Sequence, residues 1–214
     1  MPEGHTIHRL ARKHREVLGG RTVGTASPQG RFSSGARRLD GQTLKTVDAH
    51  GKHLFYRWGG GETLHVHLGL FGKFRLHRCQ PPPEPSANTR LTMTGGEVAV
   101  YLAGPTLCEL IDPDEEDLIR SRLGPDPLRP GSSAVKLDQF TTNLARRRIR
   151  IGAALLDQRV IAGLGNIYRA DSLHMGGQVL RDVDIAVLDF RQRGGVDGLL
   201  GMNVLRHYRF EIDQ

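Results

Sequence analysis

Residues 52–68, KHLFYRWGGGETLHVHL, hold two short runs of alternating apolar and polar residues separated by glycines. The apolar positions recur at every second residue: Leu54, Tyr56, Trp58, Leu64, Val66 and Leu68. Because successive side chains of a β-strand point to opposite faces, this period predicts two strands that each bury one face. The intervening glycines predict the turn that joins them.

The same period extends over residues 21–111, where it includes TRLTMT at 89–94 and EVAVYL at 97–102. Gly95 and Gly96 predict a second tight turn between these two runs. Several short alternating strands joined by glycine-rich turns are typical of a β-sandwich or a β-barrel.

A helical pattern precedes this β-rich region. Apolar residues within 6–18 fall on one stripe, and the other positions are mostly basic. This spacing predicts an amphipathic helix that packs on a sheet and ends at Gly19 and Gly20.

A second helix is predicted directly after the β-rich region. Asp112 and Pro113 are typical of a helix cap and first helical position, and Gly124 is typical of the helix end. The proline- and glycine-rich residues 122–133 predict a linker to a separate domain. Three further segments have a helical pattern: residues 134–148, 151–158 and 166–175.

The composition limits the classes of function. The chain has 214 residues with 30 Lys and Arg against 23 Asp and Glu, a formal charge of +7. That balance favours a polyanionic partner, chiefly nucleic acid. Two cysteines, Cys79 and Cys108, are typical of a reduced cytoplasmic protein, and no apolar run reaches the roughly 18 residues of a membrane span. We therefore expect a soluble intracellular protein.

Pro2 and Glu3 have two interpretations. Removal of Met1 would leave a secondary amine at the terminus beside a carboxylate. Such an amine can attack the C1′ carbon of a deoxyribose, and the carboxylate can move protons. The same dipeptide can also be an ordinary lead into the first helix.

Several other residues could serve a nucleic-acid site. Lys52 could reach a phosphate, although a lysine at the start of a strand is usually just solvated. Leu70 and Phe71 lie between two glycines on a predicted turn, where they form an apolar tip of the kind that enters a base stack or a turn that folds onto its own core. His65 and His67 share a strand face, but a metal site would need a third ligand that the sequence does not indicate.

A glycine turn in the second half is the last candidate. Gly163 and Gly165 permit a close backbone approach, and Asn166 is placed to cap the following helix. A helix start of this kind can bind phosphate. The basic run at residues 145–150 can add counterion-releasing charge or be a solvated face.

Taken in order, these motifs resemble the formamidopyrimidine-DNA glycosylase and endonuclease VIII family, most of all its actinobacterial endonuclease VIII-like branch. The resemblance covers about residues 1–173 through MPEGHTIHRLA, GRF, GKHLF, HVHLGLFG, GPTLCELI, LGPDPL and IGAALLDQRVIAGLGNIYRAD. It implies an α+β protein: an N-terminal β-sandwich flanked by helices, then a helix–two-turn–helix domain. The expected boundaries are 1–121 for the catalytic domain, 122–133 for the linker, 134–175 for the DNA-binding domain and 176–214 for a divergent tail.

The resemblance also implies roles for individual residues. Pro2 would be the Schiff-base nucleophile, Glu3 the acid and base, and Lys52 the lysine near the phosphates and the lesion. The implied DNA contacts are His67 and Asn166 on the phosphates flanking a flipped nucleotide, Leu70 as the intercalating residue, and Asp171 in place of a family glutamate.

The tail departs from the family pattern. Residues 174–214 contain no cysteine, so they lack the four-cysteine spacing of the family's zinc ribbon. Either the C-terminus is truncated or altered, or a divergent element uses Arg206, Arg209 or nearby residues instead. We expect no zinc, no catalytic metal and no other cofactor.

The expected function is that of a monomeric, bifunctional DNA glycosylase and AP lyase that excises oxidised bases from damaged DNA in base excision repair. The alternative is a non-catalytic or impaired DNA-binding relative that lacks the third element. An RNA-binding β-barrel of other ancestry would leave the ordered motifs unexplained.

Overall fold

The structure, a computed structural model, describes residues 2–169. The chain divides into two compact units, Met1–Arg122 and Leu123–Gln214. Asp171 and the predicted tail at 176–214 lie outside the described residues. Among residues 2–169, no helix is long and apolar enough to cross a membrane.

The first unit combines three helices with eight strands. Its elements are α1 (Gly4–Leu18), β1 (Thr22–Ala26), α2 (Ser33–Leu39), β2 (Gln42–His50), β3 (His53–Trp58), β4 (Thr63–His67), β5 (Lys73–His77), β6 (Thr89–Gly95), β7 (Val98–Ala103), β8 (Leu107–Ile111) and α3 (Pro113–Ser121). All the pairings between these strands are antiparallel, in the order β5-β7-β6-β1-β2-β3-β4-β8.

Two four-stranded halves meet where β1 pairs with β2 through two residue pairs, Thr22 with Thr43 and Val23 with Gln42. Both halves contribute to one apolar core. Its fully buried members include Leu91, Met93 and Leu102 from one half and Leu54, Tyr56, Trp58 and Leu64 from the other. The alternating residues of the opening stretch therefore bury the predicted face, and the α+β prediction is confirmed.

Helix α1 covers this core along its apolar stripe, with Ile7, Ala11 and Leu18 buried. It ends at Gly19, and Gly20 takes a left-handed conformation at φ +74°. A residue with a side chain would be strained there, which is why the glycine pair ends the helix as predicted.

Helix α3 begins as predicted, with Asp112 as its cap. The Asp112 carboxylate accepts a hydrogen bond from the Glu115 N–H at 2.8 Å, and the Glu115 carboxylate accepts one from the Asp112 N–H at 2.9 Å. The reciprocal pair satisfies two backbone donors that the first turn would leave unpaired.

The inner face of α3 covers the polar side of the second half-sheet. Glu116 is buried and binds both Arg57 and Arg120, and Arg120 also donates to Asp48 at 2.9 Å. The guanidinium of Arg120 lies 4.1 Å above the ring centre of Phe55. This cover converts a sheet face that would be solvated into a buried polar layer.

The second unit contains α4 (Ser133–Ala145), α5 (Ile151–Ala154) and a helical turn at residues 166–169. The sequence predicts a helix over residues 151–158, but this prediction is wrong in length because α5 ends at Ala154. The Asp157 carboxylate accepts a hydrogen bond from the Arg159 N–H at 3.0 Å, which favours a turn at this point.

Candidate functional site

The N-terminal residues lie at the start of α1. Pro2 is half-buried, and Glu3 has an extended backbone as the cap residue with only 1% of its surface exposed. The Glu3 carbonyl accepts hydrogen bonds from the N–H groups of Thr6 at 2.9 Å and Ile7 at 3.1 Å. Backbone hydrogen bonds to the Glu3 carbonyl therefore fix the Pro2–Glu3 dipeptide at the start of α1. The Glu3 carboxylate does not take part in capping the helix.

Lys52 lies in the turn between β2 and β3, directly after Gly51, whose φ is +57°. Its side chain is half-buried. Burial lowers the pKa of the Lys52 ammonium, and the charge of Glu3 opposes that shift. The opposing effect shows that the Lys52 and Glu3 side chains are electrostatic neighbours, although 49 positions separate them in sequence.

His67 ends β4 and belongs to the same neighbourhood. Burial lowers the pKa of the His67 ring, and the charges of His65 and Lys52 lower it further. Within the first unit, the structure therefore brings together three residues that the sequence singled out: Glu3, Lys52 and His67.

Leu70 and Phe71 project from the turn that follows β4, with 60% and 81% of their surfaces exposed. The carbonyl of Leu68 accepts hydrogen bonds from the N–H groups of Gly72 at 3.0 Å and Thr106 at 3.3 Å, which closes the turn. Gly69 has φ +66°, and a side chain there would overlap the Thr106 hydroxyl. The two apolar side chains are thus held in solvent by a tight turn and do not fold onto the core.

Sequence reasoning missed a chain of side chains behind His67. His65 Nδ1 lies 3.1 Å from a Glu109 carboxylate oxygen, and His65 Nε2 lies 2.9 Å from His53 Nδ1. The alternation of residues 52–68 placed both histidines on the polar face of the hairpin. Nothing in the sequence indicated that Glu109 would pair with His65 or that His65 would be buried.

In the second unit, the turn before Asn166 is organised by Gln158. Its side chain donates to the Leu164 carbonyl at 2.9 Å and accepts from the Gly163 N–H at 2.9 Å. Gly163 has φ +98°, so it takes a conformation that favours glycine. Sequence reasoning did not single out Gln158.

Asn166 is exposed, but its predicted role as a helix cap is wrong. The carbonyl of Gly165 accepts the first helical hydrogen bond, from the Arg169 N–H at 2.9 Å, so Gly165 is the cap and Asn166 the first helical residue. Of the preceding basic run, Arg147 pairs with Asp157 at 3.1 Å, whereas Arg146, Arg148 and Arg150 are exposed.

Within residues 2–169, no group of three or more His, Cys, Asp or Glu side chains is arranged to hold a metal ion. His65 instead forms hydrogen bonds through both ring nitrogens.

Two family models match the chain. The formamidopyrimidine-DNA glycosylase N-terminal domain matches residues 1–103, and the H2TH domain of the same glycosylase matches residues 123–178.

Named relatives agree with these models. Endonuclease 8 1 of Mycobacterium tuberculosis is 46% identical over 177 residues, which are 81% of this chain and 65% of the relative. Probable endonuclease 8 2 of Streptomyces coelicolor is 34% identical over 176 residues, 80% of this chain and 62% of the relative. The chain therefore spans about two thirds of the length of these relatives.

Solved structures share the fold. The Lactococcus lactis formamidopyrimidine-DNA glycosylase bound non-covalently to DNA with an AP site is 26% identical with a TM-score of 0.66. The match covers 80% of this chain and 68% of that one. The Thermus thermophilus MutM protein is 30% identical with a TM-score of 0.64, covering 80% and 63% of the two chains. The chain belongs to the formamidopyrimidine-DNA glycosylase family, and the resemblance inferred from its motifs is confirmed.

Proposed function

We propose that this chain is a DNA glycosylase with AP lyase activity, in which Pro2 is the nucleophile once Met1 has been removed. The observation that carries the proposal is the neighbourhood of the terminus. A half-buried Pro2 is followed by a Glu3 carboxylate with 1% exposure, and the charge of that carboxylate acts on the half-buried Lys52. An amine, a carboxylate and an ammonium group are the parts that imine chemistry on a sugar requires.

The reaction begins with attack by the Pro2 nitrogen on C1′ of the damaged nucleotide. The N–C1′ bond forms, the bond from C1′ to the base breaks, and the base leaves with a proton. An α-amino group has an ordinary pKa of about 8, so a useful fraction of a terminal proline is unprotonated near neutral pH. Glu3 can supply and remove protons at the sugar ring as it opens to the iminium.

The iminium makes the protons on C2′ acidic. Loss of one of them with cleavage of the C3′–O bond is the β-elimination, and a second elimination releases the 5′ phosphate. Water finally hydrolyses the iminium and frees Pro2. This amine chemistry calls for no redox cofactor and no catalytic metal.

DNA binding is the second part of the proposal. The exposed Leu70 and Phe71 form a rigid apolar tip that suits the gap left by an extruded nucleotide, with Leu70 as the inserted residue. His67 and the exposed Asn166 would each contact a DNA phosphate, and Asp171 would be a further DNA-binding residue. The relative from Lactococcus lactis was solved on AP-site DNA, which supports damaged DNA as the partner. We further propose that the protein acts as a monomer.

Borohydride trapping tests the nucleophile. The purified protein is incubated with a duplex that contains one abasic site, with borohydride to trap the adduct and without it to score nicking. We expect a covalent protein–DNA adduct and strand cleavage from protein whose intact mass shows that Met1 is absent.

Two controls assign the adduct to the terminal nitrogen. Pro2→Gly replaces the secondary amine, and protein that retains Met1 has its proline nitrogen in an amide. Each control still carries a primary α-amine, but not the secondary amine of Pro2 at its position, so both should form far less adduct and cleave far less while still binding the duplex in a salt-sensitive manner. If protein with a free Pro2 binds the duplex but gives neither adduct nor nick, the chain is the non-catalytic relative. Adduct formed by both controls at the wild-type rate and yield would exclude Pro2 as the nucleophile.

A further inference from the structure

The chain from Glu109 through His65 to His53 connects a partly exposed carboxylate to one buried ring and one half-buried ring. The Glu109 side chain is 44% exposed, and His65 is 2% exposed. The two hydrogen bonds, at 3.1 and 2.9 Å, join residues from three adjacent strands, β8, β4 and β3. We call these three residues the histidine relay.

The relay is held in place by stacking as well as by hydrogen bonds. The His65 ring stacks on Phe55 with ring centres 5.0 Å apart and only 5° between the planes. Phe55 has no exposed surface and lies beneath Arg120 of α3. Groups carried on strands and packed on both sides keep their orientation better than groups carried on loops.

The last ring of the relay faces His67. His53 and His67 are directly opposite each other in the β3–β4 pairing, and their ring centres lie 4.9 Å apart. A fixed His53 ring therefore forms one wall of the space that the His67 ring occupies. Lys52 precedes His53 by one residue, so the same ring also lies beside the turn that carries the lysine.

The hydrogen bonds assign the proton on each ring. Burial lowers the pKa of His65 despite its bond to Glu109, and burial together with the charges of His65 and His67 lowers the pKa of His53 to about 3. Both rings are thus neutral near pH 7, with one N–H and one lone pair each. The carboxylate accepts the His65 Nδ1–H, so His65 Nε2 must accept from the His53 Nδ1–H. His53 Nε2 is left as an acceptor.

We propose that Glu109, His65 and His53 are positioning residues that orient His67 for its DNA phosphate, with the Glu109 carboxylate setting the direction of the hydrogen bonds. This inference rests on the proposed function, because it assigns His67 to a phosphate. It adds to that function three residues that touch neither the sugar nor the base.

Whether Glu109→Gln raises or lowers the affinity for DNA distinguishes a positioning role of Glu109 from the effect of its charge alone. Glu109→Gln removes a negative charge, and a more positive protein should bind DNA more tightly by electrostatics alone. Reversal of the relay hydrogen bonds in this variant instead predicts weaker binding by about fivefold, the scale of one hydrogen bond. The probe is a duplex with a tetrahydrofuran abasic analogue, which binds without forming the iminium.

Glu97→Gln is the matched control. Glu97 is exposed beside Gly96 in the turn between β6 and β7, in the other half of the sheet, and its substitution changes the net charge by the same amount. We expect it to leave the affinity unchanged or slightly higher. In a His67→Ala background, Glu109→Gln should cause no further loss, since the ring that the relay orients is gone.

The ring protons give a readout that needs neither DNA nor catalysis. Nitrogen NMR of the wild-type protein at neutral pH should show the N–H of both His65 and His53 on Nδ1. In Glu109→Gln, the amide can donate to His65 Nδ1, and both rings should then shift toward Nε2–H.

The relay is excluded if the wild-type rings carry their protons on Nε2. It is equally excluded if Glu109→Gln binds DNA as Glu97→Gln does, or loses affinity equally with and without His67. Failure of the trapping experiment alone would count against Pro2 and leave these binding and NMR results to stand.

Discussion

Because His14 is buried, we expect the first unit, which carries Pro2, to lose folding stability as the pH falls. His14 lies on the inner face of α1 with 1% of its surface exposed, and its Nδ1 is 2.7 Å from the hydroxyl of Tyr56 on β3. Burial lowers the pKa of the His14 ring to about 4 from an ordinary value of 6.5. In the folded protein this ring therefore stays neutral until the pH approaches 4.

The size of the effect follows from linkage. Between pH 6.5 and 4, the unfolded state binds a proton on His14 that the folded state does not, so folding stability is complete above pH 6.5 and is lost as the pH falls. The full pKa shift contributes about 3 kcal/mol to the free energy of unfolding, and about 2 kcal/mol of this contribution is lost between pH 7 and pH 5.

Urea unfolding at pH 7 and pH 5 measures this loss. His14→Gln replaces the ring by an amide that does not titrate, so its unfolding free energy should fall by about 2 kcal/mol less than that of the wild type over the same interval. His53, His65 and His67 contribute equally to both proteins, which is why the difference between them isolates His14.

Tyr56→Phe is the matched control. It removes the hydrogen bond but keeps His14 buried, so it should lower stability at pH 7 and retain the wild-type loss between pH 7 and pH 5. If His14→Gln loses as much stability as the wild type over that interval, His14 does not resist protonation and the reasoning is wrong.

Two further substitutions test the apolar tip and the α3 cover. Gly69→Ala would place a side chain against the Thr106 hydroxyl in a left-handed backbone. We therefore expect it to bind abasic DNA more weakly in a fluorescence anisotropy titration. Gly61→Ala, at φ +92° with open space around it, is the control and should lower the unfolding free energy by about 1 kcal/mol without changing binding. Glu116→Ala leaves two arginines without their shared buried carboxylate and should lower the unfolding free energy by about 3 kcal/mol. Asp114→Ala, at an exposed position of the same helix, should lower it by less than about 1 kcal/mol, and equal losses for the two variants would refute the assigned role of Glu116.

Local patterns in the sequence predicted most elements of the first unit, but they missed α2 (Ser33–Leu39), which lies inside the stretch predicted to be strands. The alternation of Leu54, Tyr56 and Trp58, the glycine pair after α1, and the cap at Asp112 each act within a few residues. Side-chain period, left-handed turns and helix caps depend on neighbours in the chain, so a single sequence contains them. The same sequence also singled out Glu3, Lys52 and His67, each from its own short motif.

Apolar spacing failed where two local structures compete. The helix predicted over residues 151–158 ends at Ala154, and Asn166 begins a helix that Gly165 caps. The carboxylate of Asp157 favours a turn where apolar spacing favoured a helix. Differences of one or two hydrogen bonds decide such boundaries, and spacing alone does not contain them.

By itself, the sequence determined which residues alternate, where α1 ends and α3 begins, and which terminal motif could supply an amine and a carboxylate. Only the tertiary structure decided that Glu3 acts on Lys52, that Glu109 pairs with a histidine 44 positions away, and that α3 buries the polar face of the hairpin. The physical reason is that burial and hydrogen bonding between distant strands depend on how the sheet folds and what covers it. No periodicity along the chain specifies that arrangement.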